Sequence, residues 1–238
     1  GDSPRDAFYL GAYLGYDENG KIRSITNVKP IENKGIRDFR KLAQAVGNGY
    51  EISGFYQLTF LQAMYVLKYG NLDAQTALGI GLTDIRATDT NTTGRTNGKG
   101  IDYGTQSKTE QMKFQHLEDF WGNRLWAIDG VSTDFSCTLF TARDKFNDSR
   151  SGYLNTGEKG VNSGGYLSKI FGTNELGFVG KIFKGSTSSY YCDYSNTNSN
   201  FFMFFGGELK SGAGSFSCRL YYSATESNWN RSARLMFL

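Results

Sequence analysis

Helical periodicity is confined to two windows near the start of this chain, so the remaining length has to be built from short extended segments and turns. From Ile36 onward, Ile36, Phe39, Leu42, Ala43 and Val46 share one helical face, with Arg37, Asp38, Arg40, Lys41 and Gln44 opposite. Gly47-Asn48-Gly49 stops that amphipathic helix. The second window, about Phe55 to Tyr69, carries Leu58, Leu61 and Tyr65 together with Phe60, Met64 and Leu67. Apolar side chains on nearly every face predict a buried helix.

Elsewhere the signal is that of strands. Phe8 to Leu14 reads as one, ending at the Asp17-Glu18-Asn19-Gly20 turn, whose Asn-Gly pair accepts positive φ and favours a hairpin into Lys21–Ile25. Gly, Thr, Asn and Asp dominate from Gly70 to about Lys108 and predict loops, followed by a short helix or turn at Thr109 to Phe114. Leu125 to Gly130 reads as a strand, as do Phe201–Gly207, Phe216–Tyr222 and Ala233–Leu238. The layout predicted is α+β, two early helices embedded in a β-rich chain. With two prolines, Pro4 and Pro30, and no Pro-rich, Ser-rich or charged linker, the 238 residues read as a single domain, 1–238.

Acids and bases are interspersed and the net charge is only +3, which argues against nucleic acid as a partner. No apolar stretch approaches the roughly 20 residues of a spanning helix, which argues against membrane insertion. Gly1 to Asp6 carry no signal-peptide pattern, and a start without Met reads as a processed or excised piece. Cys137, Cys192 and Cys218 are odd in number and widely spaced, which fits folding in a reducing cytoplasm better than a disulfide framework.

The run Gly206-Gly207-Glu208-Leu209-Lys210-Ser211-Gly212-Ala213-Gly214-Ser215-Phe216, followed by Leu220, Ser223, Ser227-Asn228-Trp229-Asn230 and Ala233-Arg234-Leu235, resembles the C-terminal variable region of phage and prophage proteins diversified by retroelements. Tyr190-Tyr191-Cys192-Asp193-Tyr194 looks like the start of that region. Glu118-Asp119-Phe120-Trp121-Gly122-Asn123 with Trp126 and Asp129-Gly130 is similar to a signature shared by these proteins and the formylglycine-generating enzymes. Tyr69 to Thr76 looks like the N-terminal half of the phage group. The resemblance implies a C-type lectin fold: two helices packed on small antiparallel sheets, the N- and C-terminal strands paired, a scaffold over 1–185 and a variable ligand-binding region over about 186–238. It also implies a receptor-binding role at a phage tail tip or bacterial cell surface, a protein or glycan receptor on a host or neighbouring cell, and a homotrimer. A structural virion or surface assembly module is the first alternative, and a formylglycine-generating-like enzyme the second.

Period two along Phe216–Tyr222 puts Phe216, Cys218, Leu220 and Tyr222 on one face and Ser217, Arg219 and Tyr221 on the other. Tyr, Trp and Arg supply large contact areas at low entropic cost and are enriched at binding hot spots. Glu208, Lys210, Arg219, Tyr221, Tyr222, Glu226 and Trp229 are therefore the first candidates for ligand contact. Tyr190, Tyr191, Phe201, Phe202 and Met203 form the second set. Phe204, Phe205, Trp121 and Trp126 read as core. His116 stands alone as a structural or exposed residue, and Asp144 with Asp148 is too thin a cluster for calcium, so neither metal nor cofactor is expected. Catalysis is not expected either. The thiol chemistry of the formylglycine-generating enzymes needs a cysteine pair, and five residues before Cys218 stands Ala213.

Overall fold

The computed structural model describes residues 7–84, 91–207 and 214–238. The chain opens with β1 (Tyr9–Leu10) and a hairpin of β2 (Tyr16–Glu18) and β3 (Lys21–Arg23). Asn19 and Gly20 turn that hairpin with φ of 55° and 80°, the left-handed values that an Asn-Gly pair tolerates. The expected Phe8–Leu14 strand is broken: β1 leaves the hairpin and pairs instead with the end of the chain. Then come α1 (Ile36–Gln44), β4 (Tyr50–Ile52), α2 (Phe55–Tyr69) and the single turn α3 (Ala74–Ala77).

A short pair follows, β5 (Lys113–Phe114) and β6 (Leu117–Glu118), where a helix or turn was expected. Residues 111–114 are all buried, and Lys113 exchanges backbone hydrogen bonds with Tyr103, the bonding of an extended segment. Beyond it lie β7 (Leu125–Thr133), β8 (Thr138–Thr141), β9 (Leu154–Lys159), β10 (Ser163–Tyr166), and the ribbon β11 (Lys169–Ile170) with β12 (Gly180–Ile182). The last third contributes β13 (Tyr194–Thr197), β14 (Phe202–Phe205), β15 (Cys218–Tyr222), β16 (Arg231–Ser232) and β17 (Leu235–Phe237).

This architecture overturns the expected α+β layout of two helices on small antiparallel sheets. Strands make up 29% and helices 13%, and one curled eight-stranded sheet dominates. Its order is β10-β13-β15-β14-β7-β8-β9, with β16 pairing β7 off that path. The sheet is mixed, because β13 runs parallel to β15 and β16 parallel to β7. A separate three-stranded sheet, β1-β17-β4, joins the two ends of the chain, with Tyr9 opposite Phe237.

Alternation along β14 explains how the large sheet is held. Met203 and Phe205 enter one apolar cluster with Trp126, Ile128, Leu220 and the α2 residues Phe55, Leu58, Leu61 and Tyr65. Phe202 and Phe204 enter another with Leu125, Ala127, Tyr222 and the α1 residues Ile36, Phe39 and Ala43. Each helix thus covers one face of the sheet. Burial of α2 is incomplete: Phe60 is 52% and Leu67 86% exposed, because the sheet occupies only one side of the helix.

Two irregularities interrupt period two and re-aim side chains. Between neighbouring β14 residues Phe202 and Met203, the β7 partners jump from Ser132 to Ile128, so Asp129, Gly130 and Val131 bulge out. Gly130 allows this, with φ of 79° and a site where any Cβ would lie 2.5 Å from the Ala142 carbonyl oxygen. The bulge delivers Asp129 to Arg40 of α1, which donates two hydrogen bonds to it at 2.7 and 3.1 Å. Opposite the same β14 step, β15 jumps from Leu220 to Tyr222 and leaves Tyr221 unpaired.

Candidate ligand-binding surface

The β15 bulge decides which aromatic side chain faces water. Cys218 and Leu220 belong to the α2-side cluster, but Tyr222 crosses to the α1-side cluster, so the expected common face breaks at Tyr221. Tyr221 is 48% exposed, and its ring lies 5.8 Å from the half-buried Phe201. Beneath it, Tyr222 meets Phe204 edge-on at 5.4 Å and carries the Arg231 guanidinium 3.6 Å above its ring. Arg231 is buried by this sandwich, and it donates to Glu226 at 3.0 Å and to the Glu226 carbonyl at 2.6 Å.

The loop after β15, residues 223–230, is held by its backbone. Arg37 N–H donates to the Ala224 carbonyl at 3.0 Å and Asn33 N–H to the Asn228 carbonyl at 3.0 Å. Gly35 approaches so closely that a Cβ there would stand 2.6 Å from the Ala224 carbonyl oxygen. With the main chain tied to the entry of α1, the side chains of Thr225, Glu226, Ser227 and Trp229 point to solvent. Trp229, 36% exposed, lies over Arg124, whose guanidinium sits 5.3 Å from the ring and pairs with Glu32 at 3.0 Å.

Tyr221 beside Phe201, Glu226 paired with Arg231 and Trp229 over Arg124 are the candidates left at or near the surface, the last two resting on buried arginines. Four other candidates are corrected. Arg219 is 5% exposed because β15 is an interior strand between β13 and β14, and its guanidinium lies 5.1 Å from the Tyr194 ring. Tyr222 is buried by the register shift already described, and Phe202 and Met203 are interior because β14 is a central strand covered on both faces. Tyr190 and Tyr191 lie at the other end of β15, where the Tyr191 ring packs edge-on against Phe216 at 5.1 Å. Tyr190 is 78% exposed there. Cys218 to Tyr222 alone spans roughly 13 Å at about 3.3 Å per residue, so the two sets form separate surfaces. Glu208 and Lys210 lie outside the described residues.

Sequence reasoning missed Arg124 and Arg231, the residues that support the outward set. Their only signal is that each adjoins a strand-like run, and their stacking partners are far away in sequence.

The cysteines are placed as core residues. Cys218 is 1% exposed and burial pushes its thiol up to about 12, while burial holds the Cys192 thiol at about 11. Trp121, Trp126, Phe204 and Phe205 are fully buried, and His116 is exposed. Among the described residues, no group of three or more His, Cys, Asp or Glu is placed to hold a metal, and no helix is long and apolar enough to cross a membrane. No family model matches the chain, and no curated protein is similar enough to it to show a relationship.

Proposed function

We propose that this protein is a receptor-binding protein whose outward C-terminal side chains choose the partner, and that it works by recognition without chemistry. The observation that carries the reading is the loop 223–230: its main chain is fixed by Arg37 and Asn33 while Glu226 and Trp229 face solvent, and Tyr221 is exposed at the strand end that leads into it. Such a surface lets side chains be exchanged without disturbing the backbone. It is also broad and aromatic, which favours a protein partner. The resemblance of Gly206 to Leu235 to retroelement-diversified phage proteins supports a place at a phage tail tip or on a bacterial surface. The buried, high-pKa Cys218 supports a non-enzymatic role.

The test is binding of the fluorescently labelled protein to a panel of bacterial strains, measured by flow cytometry. Replacing Tyr221, Glu226 and Trp229 together with Ala should abolish binding to any strain the parent recognises and leave the melting temperature within a few degrees. Retained binding by the triple variant overturns the assignment. A companion observation is the neighbouring DNA, where a near-repeat of the last fifty codons differing at adenines, beside a reverse transcriptase, is expected.

An assembly role has one observation in its favour. Tyr9 is 66% and Phe237 38% exposed, their rings lie 6.2 Å apart, and Tyr50 stands 4.9 Å from Phe237. This aromatic patch on the terminal sheet fits burial against another copy of the chain. Mass in solution, with Tyr9→Ser and Phe237→Ser, tests that role separately.

A further inference from the structure

A cleft lies at the Phe216 end of β15, between the segments 70–73 and 188–192. It is an open depression of about 480 Å³, within the range of about 300–1,000 Å³ typical of small-molecule sites. Tyr190 stands at its rim, 78% exposed. Its loop is firmly built: Ser189 N–H donates to the Ser186 carbonyl at 3.2 Å, Cys192 N–H to the Ser189 carbonyl at 3.1 Å, and Ser186 N–H to Ser189 Oγ at 2.9 Å. Tyr191, next in sequence, is pinned on Phe216. The backbone that carries Tyr190 is therefore held in place, with the ring at the cleft rim.

The facing wall is equally fixed. Asn71 Oδ1 accepts the Asp73 N–H at 2.9 Å, and Asp73 accepts from the Thr76 N–H and hydroxyl at 3.0 and 2.6 Å. With its oxygen committed to the backbone, Asn71 offers its amide hydrogens to an outside acceptor. Ser188 adds a hydroxyl from the other side, the Ser189 hydroxyl being committed to Ser186. Among the described residues that line the cleft Asp73 is the single charged one, and its negative charge disfavours a phosphate or carboxylate. An aromatic face beside an amide, a hydroxyl and a lone carboxylate matches a neutral ring that has an apolar C–H face and a rim of hydroxyl groups.

We propose that this cleft binds a neutral saccharide, one pyranose ring lying on Tyr190 with its hydroxyls toward Asn71, Asp73 and Ser188. The site is distinct from the Tyr221–Trp229 surface and gives the protein a glycan contact alongside its protein contact. Either site stands if the other fails.

Saturation-transfer NMR on the full chain tests it, using methyl pyranosides of glucose, galactose, mannose and N-acetylglucosamine, with methyl glucuronide as the anionic control. At least one neutral pyranoside should bind. Tyr190→Ala should weaken it about tenfold, Asn71→Ala should weaken it measurably, and Tyr190→Phe should keep it, because the ring face and not the hydroxyl is used. Tyr221→Ala and Trp229→Ala should leave it unchanged. The proposal fails if no neutral pyranoside binds, if only the glucuronide binds, if Tyr190→Ala binds like the parent, or if the Tyr221 and Trp229 variants lose binding equally. Melting curves of each variant separate loss of the site from loss of the fold.

Discussion

Tyr221 and Tyr222 are adjacent, chemically identical and, through the β15 bulge, opposite in role, which makes their truncation to Ala a direct comparison. Tyr222→Ala removes a buried aromatic that meets Phe204 at 5.4 Å and supports the Arg231 guanidinium at 3.6 Å. Truncating such a residue costs about 3–5 kcal/mol. Tyr221→Ala removes a ring that is 48% exposed and whose main aromatic neighbour outside its own strand is the half-buried Phe201, a pair worth about 0.5–1.5 kcal/mol. For a chain of this size 1 kcal/mol moves the melting temperature by roughly 2–4 °C. Tyr222→Ala should therefore melt about 10 °C lower than the parent and Tyr221→Ala about 3 °C lower. Urea unfolding followed by tryptophan fluorescence, together with calorimetry, measures both. Equal losses, or a greater loss at Tyr221, would refute the bulge argument and with it the division into anchor and outward positions.

Breaking the buried Arg40–Asp129 pair with Arg40→Met should cost about 3–5 kcal/mol, because Asp129 is left buried without its cation, and adding Asp129→Leu should recover much of that in chemical unfolding. Burial pushes the Asp193 carboxyl up to about 7 against the Phe216 N–H that donates to it, so the folded form binds an extra proton. Its contribution to stability is full below the unfolded value near 3.8 and is lost as pH rises through 7; Asp193→Asn should flatten that part of the pH–stability curve. Cys137, Cys192 and Cys218 are all buried, and a thiol reagent should label them slowly in the native protein and rapidly in denaturant. Gly130→Ala should be strongly destabilising in the same urea assay, since both its φ and the Ala142 carbonyl oppose a side chain.

Local features were legible in the sequence where local forces decide them. The α2 window, Phe55 to Tyr69, coincides with the observed helix, and the Asn19-Gly20 hairpin turn forms where the pair predicts it. Trp121, Trp126, Phe204 and Phe205 are core as their apolar surroundings suggest. The sheet was not legible, because β7 joins β14 across some seventy residues and no local period reports such pairing. The contact residues were only partly legible for a related reason. A strict two-residue period assumes an unbroken ladder and puts Tyr222 on the Leu220 face, whereas the bulge at Tyr221 moves Tyr222 to the opposite face, which α1 covers. Arg40 and Arg219 read as surface residues because Arg is usually exposed, yet here Asp129 and the Tyr194 ring provide distant partners that make burial tolerable.

A fixed main chain carrying exchangeable side chains is the property on which recognition depends, and saturation mutagenesis scored by protease resistance measures it directly. Tyr221, Ser227 and Trp229 should accept most amino acids with only small losses of resistance, while Tyr222, Arg124 and Arg231 should accept few. Equal intolerance at all six positions would contradict it.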